Sequence, residues 1–358
     1  MAILFMEGFD GYASVSEALN DHRIGVDSVS TSYSLQTGRD GSGQCFEVDE
    51  DRVALIAYLP QATTNTVFIQ FAFKVDVLPG AGTVGVAAFW DTSGVEQGNL
   101  TLQATTGDLV YKRGTDSSGT IIGTSSASIG AGSWHYVECK VKFDNTAGEV
   151  VIKVDGVEHL NTTGQDTLNG GTASISSVLL GETSSGSDTN VDCKFDDLII
   201  GDTSDSSGSP TIGLANDLLG DCTIEYLYPD GAGNYTQFTP SAGVNYQNVD
   251  EGATQDGDTT YNSSSTAGHK DTFTCDNLSI SSGTIHAVQV TNVSKKESGG
   301  GRLIRGMVRS GGVDASGTGR YVPDSYAHRN DIFEVDPSSA AWTVSAVNSI
   351  EVGYELET

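Results

Sequence analysis

Residues 134–160 read WHYVECKVKFDNTAGEVVIKVDGVEHL. Two runs in this stretch alternate with a period of two. In the first, Tyr136, Glu138, Lys140 and Lys142 interleave with Val137, Cys139, Val141 and Phe143. In the second, Val150, Ile152 and Val154 interleave with Val151, Lys153 and Asp155. That period belongs to half-buried β-strands. Between the runs lies Asp144-Asn145-Thr146-Ala147-Gly148, which is turn chemistry, so the runs are expected to pair as a hairpin. Asp155-Gly156 supplies a second turn at once. One hairpin is marginal in water and needs a sheet to join and a second sheet to cover it.

The rest of the chain carries the same signature. Strands are expected at 3–5, 44–48, 53–59, 66–77, 84–91, 100–104, 109–112, 121–125, 174–181 and 193–200, with turn residues every 8–14 positions. In the second half, 284–293, 303–309 and 350–356 read as strands, and 342–348 as one short helix. Forty-four glycines and few helical patterns fit short strands joined by tight turns. At 358 residues, two domains are the default. The polar run DTSDSSGSP at 202–210 marks the boundary. The expected architecture is all-β, with two antiparallel β-sandwich (jelly-roll) domains at 1–202 and 215–358 and a linker at 203–214.

Eighteen Lys and Arg face 47 Asp and Glu, a formal net charge of −29. That balance argues against nucleic acid and against anionic lipid, both of which need a basic face. No stretch approaches the roughly 18 apolar residues of a membrane-spanning helix. The N-terminal MAILFMEGFD lacks a basic region, so it is expected to be a strand rather than a leader. The five cysteines, Cys45, Cys139, Cys193, Cys222 and Cys275, have no CxxC spacing and are expected to be buried thiols.

Three features make the pattern specific. EGFD stands at 7–10, a WHYV strand at 134–137 pairs with one ending in Val154-Asp155-Gly156, and a last strand reads KFDDLIIGD at 194–202. Residues 1–202 thereby resemble the concanavalin A-like, laminin G-like jelly roll. The second half carries LGDCTIEYLYPDGAGNYTQFTPSAG at 219–243, NYQNVDE at 245–251, DGDTTYNSSSTAGHKDTF at 256–273, VRSGG at 308–312 and AAWTVSAVNSIEVGYEL at 340–356. It resembles a C-terminal module of tailed-bacteriophage virion proteins, where it follows a laminin G-like domain. The resemblance implies a virion structural protein assembled in a bacterial cytoplasm, without enzymatic activity, decorating capsid or tail or forming part of a fibre. Its partners would be other virion proteins and further copies of itself, a homotrimer being the expected form. The alternatives are a carbohydrate-binding adhesin, the receptor-binding part of a tail fibre touching host surface glycan, and a polysaccharide depolymerase.

Candidate sites are few. In the jelly roll that the sequence resembles, calcium is often held where the first and last strands meet. Here that implies Glu7, the loop at 41–43 and Asp197. Trp90, in AAFWDTSG, ends a strand where an aromatic can stack on a sugar. Glu47, Asp49 and Asp51 share one face of an extended strand, the pairing a glycosidase uses, but they read as a solvated strand end. The histidines share no metal spacing, and no nucleophile or phosphate-loop motif occurs. Arg302, Arg305 and Arg309 form a basic set that could meet acidic loops of a neighbouring copy.

Overall fold

A computed structural model describes residues 2–21, 23–28, 33–39, 41–48, 53–60, 64–181, 191–204, 218–297 and 299–358. The first half begins with β1 (Ala2–Glu7), a single helical turn α1 (Val15–Ala18), β2 (Ile24–Ser28), β3 (Tyr33–Thr37), β4 (Gln44–Val48), β5 (Val53–Tyr58) and β6 (Thr66–Val75). It continues with β7 (Thr83–Asp91), β8 (Glu96–Gln103), β9 (Asp108–Arg113) and β10 (Thr120–Ser128). It ends with β11 (Trp134–Lys142), β12 (Gly148–Val154), β13 (Val157–Gln165), β14 (Ile175–Gly181) and β15 (Cys193–Asp202).

The hairpin forms as its alternation predicts. Val137 lies opposite Val154 and Lys142 opposite Glu149. Asp144 Oδ1 fixes the turn by accepting from the N–H groups of Thr146 and Ala147, each at 2.8 Å. Asp155 and Gly156 both have positive φ (51° and 76°), as a two-residue hairpin turn needs, and so launch β13.

These strands join two antiparallel sheets. The eight-stranded one runs β13-β12-β11-β6-β15-β4-β3, with β1 also on β15, and the seven-stranded one runs β10-β9-β8-β7-β14-β5-β2. Their facing sides hold one core, including Phe71, Phe73, Phe89, Phe195, Val137 and Leu180. This is the expected all-β, jelly-roll sandwich.

The second half contains β16 (Pro229–Thr236), β17 (Thr239–Pro240), β18 (Asn262–Ser263), β19 (Lys270–Cys275), β20 (Val288–Ser294), β21 (Leu303–Ser310), β22 (Val313–Ser316), β23 (Arg320–Tyr321), β24 (Ala327–Phe333), a helical turn α2 (Val344–Val347) and β25 (Glu351–Leu356). A six-stranded sheet, β16-β19-β25-β21-β22 with β23 on β21, faces a two-stranded ribbon of β20 and β24. Val290, Val308, Trp342, Val347 and Ile350 fill the space around them. This half is therefore a sheet covered by a ribbon, leaner than the expected second jelly roll. Its 229–273 region has too few apolar residues to build a full second layer. Instead, Phe238 packs edge-on against Tyr354 at 4.9 Å.

One strand property departs from expectation. The polar face of β11 is buried as well: Tyr136 is 1% exposed and Glu138 0%. The reason is residues 218–228, which lie on the outer side of the eight-stranded sheet. Leu218, Leu219, Cys222 and Ile224 pack with Ile3, Phe68, Ala72, Tyr136 and Ile199. Buried side chains of the sheet hold this strap by its backbone. Gln70 Oε1 accepts from Leu219 N (2.8 Å), Glu138 Oε1 from Gly220 N (2.9 Å) and Asp197 Oδ1 from Ile224 N (2.6 Å). A period-two pattern reports polarity, and here the polar side chains serve an internal interface instead of water.

Candidate functional site

With the eight-stranded sheet covered by the strap, the outer face of the seven-stranded sheet carries the candidate site. Alternation points Phe89, Val178 and Ala57 into the core and turns Trp90, Ser177 and Tyr58 outward. Ser177 pairs with both Tyr58 on β5 and Trp90 on β7. Trp90 pairs in turn with Glu96 on β8. Glu96, Trp90, Ser177 and Tyr58 therefore form one row across four strands. Ala88, Leu179 and Ile56 pack beside Trp90 as the apolar floor of the next row.

The two aromatics are held differently. The Tyr58 ring lies over β2 at Gly25, where a Cβ would stand 2.9 Å from Cε2 and 3.1 Å from Oη. Glycine there lets the ring lie down while the residue stays 47% exposed. The Trp90 indole is half-buried, and its Nε1–H is shielded from water without a hydrogen bond among the described residues. Such a donor costs on the order of 1–3 kcal/mol until an acceptor reaches it.

Loops on either side are pinned. Asp91 Oδ1 accepts from Ser93 N and Val95 N (2.8 Å each), and Oδ2 accepts from Thr172 N at 2.7 Å and from Gln97 Nε2 at 3.1 Å. Burial pushes this carboxyl up, but the N–H groups of Thr172, Val95 and Ser93 outweigh it and hold its pKa below the usual range. On the far side Asp116 accepts from Lys112 Nζ (2.5 Å) and Thr83 Oγ1 (2.8 Å), carrying the 114–119 loop from β9 to β7 across the outer face of β8. Glu96 Oε1 accepts from Asn99 Nδ2 at 2.9 Å. Burial raises the Glu96 pKa, and nearby Asp116 adds to the rise.

Of the residues singled out in the sequence, Trp90 lies in this row. Glu96, Tyr58 and Gly25 were missed, because only the strand register shows that they share a face. Glu7 and Asp197 are brought near each other by the pairing of β1 with β15, yet they make no common site. Glu7 accepts from Tyr12 Oη (2.9 Å), Phe9 N (3.0 Å) and the Tyr226 hydroxyl, and Arg23 lies 3.6 Å away. Asp197 pairs with Arg39 Nε at 2.7 Å and accepts from Ile224 N. Arginines and strap donors occupy both carboxylates, so the pair does not fit calcium. Asp196 faces the 38–43 loop by accepting from Arg39 N at 2.9 Å, and its pKa is pushed up to about 7, by burial first and by Asp197 second.

Glu47 lies with Asp76 and Asp192, and Lys194 Nζ bridges Glu47 (3.1 Å) and Asp76 (2.6 Å), supplying the cation itself. Asp49 and Asp51 lie outside the described residues. The basic set is also used internally. Arg305 pairs with Glu355 at 2.9 Å and Arg309 with Asp314 at 2.5 Å, which removes the reason to expect them at a neighbouring copy. Cys45, Cys139, Cys193 and Cys222 are buried thiols as expected, and Cys275 is partly buried.

No family model and no curated protein matches the chain. Solved structures do. The alginate lyase Aly36B, in complex with alginate trisaccharide, is 16% identical, with 55% of this chain and 97% of that chain covered and a TM-score of 0.41. The alginate lyase vAL-1 from Chlorella virus is 12% identical, with 56% and 99% covered and a TM-score of 0.40. Domain 4 of AbnA, an arabinanase from Geobacillus stearothermophilus bound to arabinotriose, is 17% identical, with 55% and 91% covered and a TM-score of 0.38. These likenesses concern the fold. They correct one expectation, the absence of enzymatic activity: structures of alginate lyases are among the matches.

Proposed function

We propose that the chain is a carbohydrate-binding protein, with glycan engaged on the outer face of the seven-stranded sheet. The observation that carries this reading is the row Trp90–Ser177–Tyr58, two aromatics and a hydroxyl aligned across three paired strands. Aromatic faces pack against the apolar faces of sugar rings, while a hydroxyl such as that of Ser177 serves sugar hydroxyls. Glycans are also the ligands named for the similar structures. The resemblance of the second half to tailed-phage virion modules supplies the proposed setting, an adhesin that meets host surface glycan.

A glycan array followed by calorimetry on the best ligand tests the reading. Trp90→Ala is expected to weaken binding at least tenfold, about 1.4 kcal/mol, with far-UV circular dichroism unchanged and Tm lowered, since the indole also packs on Ala88, Leu179 and Ile56. Full binding by the variant would remove the site from this face. Bond cleavage is read in the same samples as new chain ends. Cleavage that vanishes in Glu96→Gln while binding persists would make the row a depolymerase site.

A further inference from the structure

We infer that the row takes an extended, uncharged glycan of at least three units, its chain running across β5, β14 and β7 and stacking at both Tyr58 and Trp90. This rests on the carbohydrate-binding reading and adds the length, direction and charge of the ligand.

Length and direction follow from the register. Tyr58 and Trp90 share Ser177 as their common partner, so their backbones are two strand spacings apart, roughly 9.5 Å, and the Tyr58 ring reaches one strand further, over β2. The span from ring to ring is therefore longer than a disaccharide. A chain lying across the strands sets one sugar on each ring and one over Ser177 between them. A chain lying along the strands would meet one ring and then leave the row, because the next outward positions are the small or aliphatic Ala88, Leu179 and Ile56. Gly25, opposite Ile56 in the next row on β2, gives the Tyr58 ring the room to lie there.

Charge follows from the row's neighbours. Glu96 closes one end, and one of its oxygens is taken by Asn99. Lys112, the nearby cation on β9, is engaged by the Asp116 carboxylate and carbonyl at 2.5 and 3.0 Å. Arg23, behind Tyr58, is held by Asp21 at 2.8 Å and is buried. A uronate polymer needs cations to offset its carboxylates. Among the described residues the row offers it a carboxylate instead, on a chain of net charge −29. A neutral sugar meets the Ser177 hydroxyl and the two ring faces without that cost, above the buried Glu96.

The test is a calorimetric size series on the full chain. The probes are neutral gluco-, manno-, galacto- and arabino-oligosaccharides of one to six units and alginate and polygalacturonate oligomers of equal length, at low and high salt. The expected result is affinity for a neutral series that rises at least tenfold from two to four units and changes little with salt. Tyr58→Ala and Trp90→Ala should each cost about tenfold on the tetramer, whereas Tyr58→Phe keeps the binding and reports that the site is folded. Tight binding by uronates that weakens with salt, a plateau at the disaccharide, or a silent Tyr58→Ala would overturn this inference alone. Failure of every probe to bind would overturn the carbohydrate-binding reading with it.

Discussion

At the scale of single residues, the candidate site depends on one missing side chain. Gly25 is the place where the Tyr58 ring lies. Gly25→Val puts branched carbons into that space, lifts the ring and should lower glycan affinity at least fivefold. Far-UV circular dichroism should be unchanged, since valine suits a strand; unchanged affinity would show that the ring position is immaterial. The sequence displayed Trp90 because a tryptophan at a strand end is conspicuous. Tyr58, before Leu59-Pro60, and Gly25 carry no such mark, and Glu96 falls between the expected strands 84–91 and 100–104. Only β-register, which a single sequence does not state, aligns them. Asp91 gives a pH prediction. Its pKa is held below that of the unfolded chain, so its contribution to stability is present above about pH 4 and is lost as pH falls through the folded value. Asp91→Asn should therefore lower Tm at pH 7 and change it much less at pH 3, whereas an equal loss at both would point to the hydrogen bonds alone.

At the scale of elements, the hairpin at 134–160 shows what alternation can and cannot reveal. Strand identity, turn positions and the inward set Val137, Cys139 and Val141 were all legible. Burial of Tyr136 and Glu138 was not, because the strap that covers them is distant in sequence. The surroundings of Glu7 and Asp197 were not legible for the same reason: acids at the junction of first and last strands suggest a metal, while here they receive the strap and two arginines. Asp197→Ala would take one carboxylate from Arg39, which keeps Asp221 at 2.7 Å, and would leave Ile224 N without its acceptor. A buried donor left without its acceptor costs roughly 1–3 kcal/mol, so urea denaturation should show a loss of that order. A loss below about 1 kcal/mol would show that the pair behaves as an exposed one. Asp196 acts in the opposite sense to Asp91. Its pKa of about 7 lies above its unfolded value, so its stabilising contribution is present below about pH 4 and lost as pH rises through 7. Asp196→Asn should gain stability relative to the parent between pH 4 and pH 8; a constant difference over that range would contradict the assignment.

At the scale of the molecule, the two halves were legible as separate β units but not as mutually dependent ones. The first half's eight-stranded sheet presents Phe68, Ala72, Tyr136 and Ile199 to the second half, together with the buried acceptors Gln70 and Glu138. A fragment ending at residue 204 exposes all of these. It should melt well below the full chain and bind a hydrophobic dye, whereas an equal Tm would mean the strap adds nothing. The C-terminal half thus closes one face of the sandwich and leaves recognition to the other. Hydrogen exchange with and without a bound neutral oligosaccharide tests this division most directly. Added protection is expected in β5, β7 and β14, around Tyr58, Trp90 and Ser177, and not along residues 218–228 or in the C-terminal sheet. Protection confined to the C-terminal half, with those three strands unchanged, would contradict it.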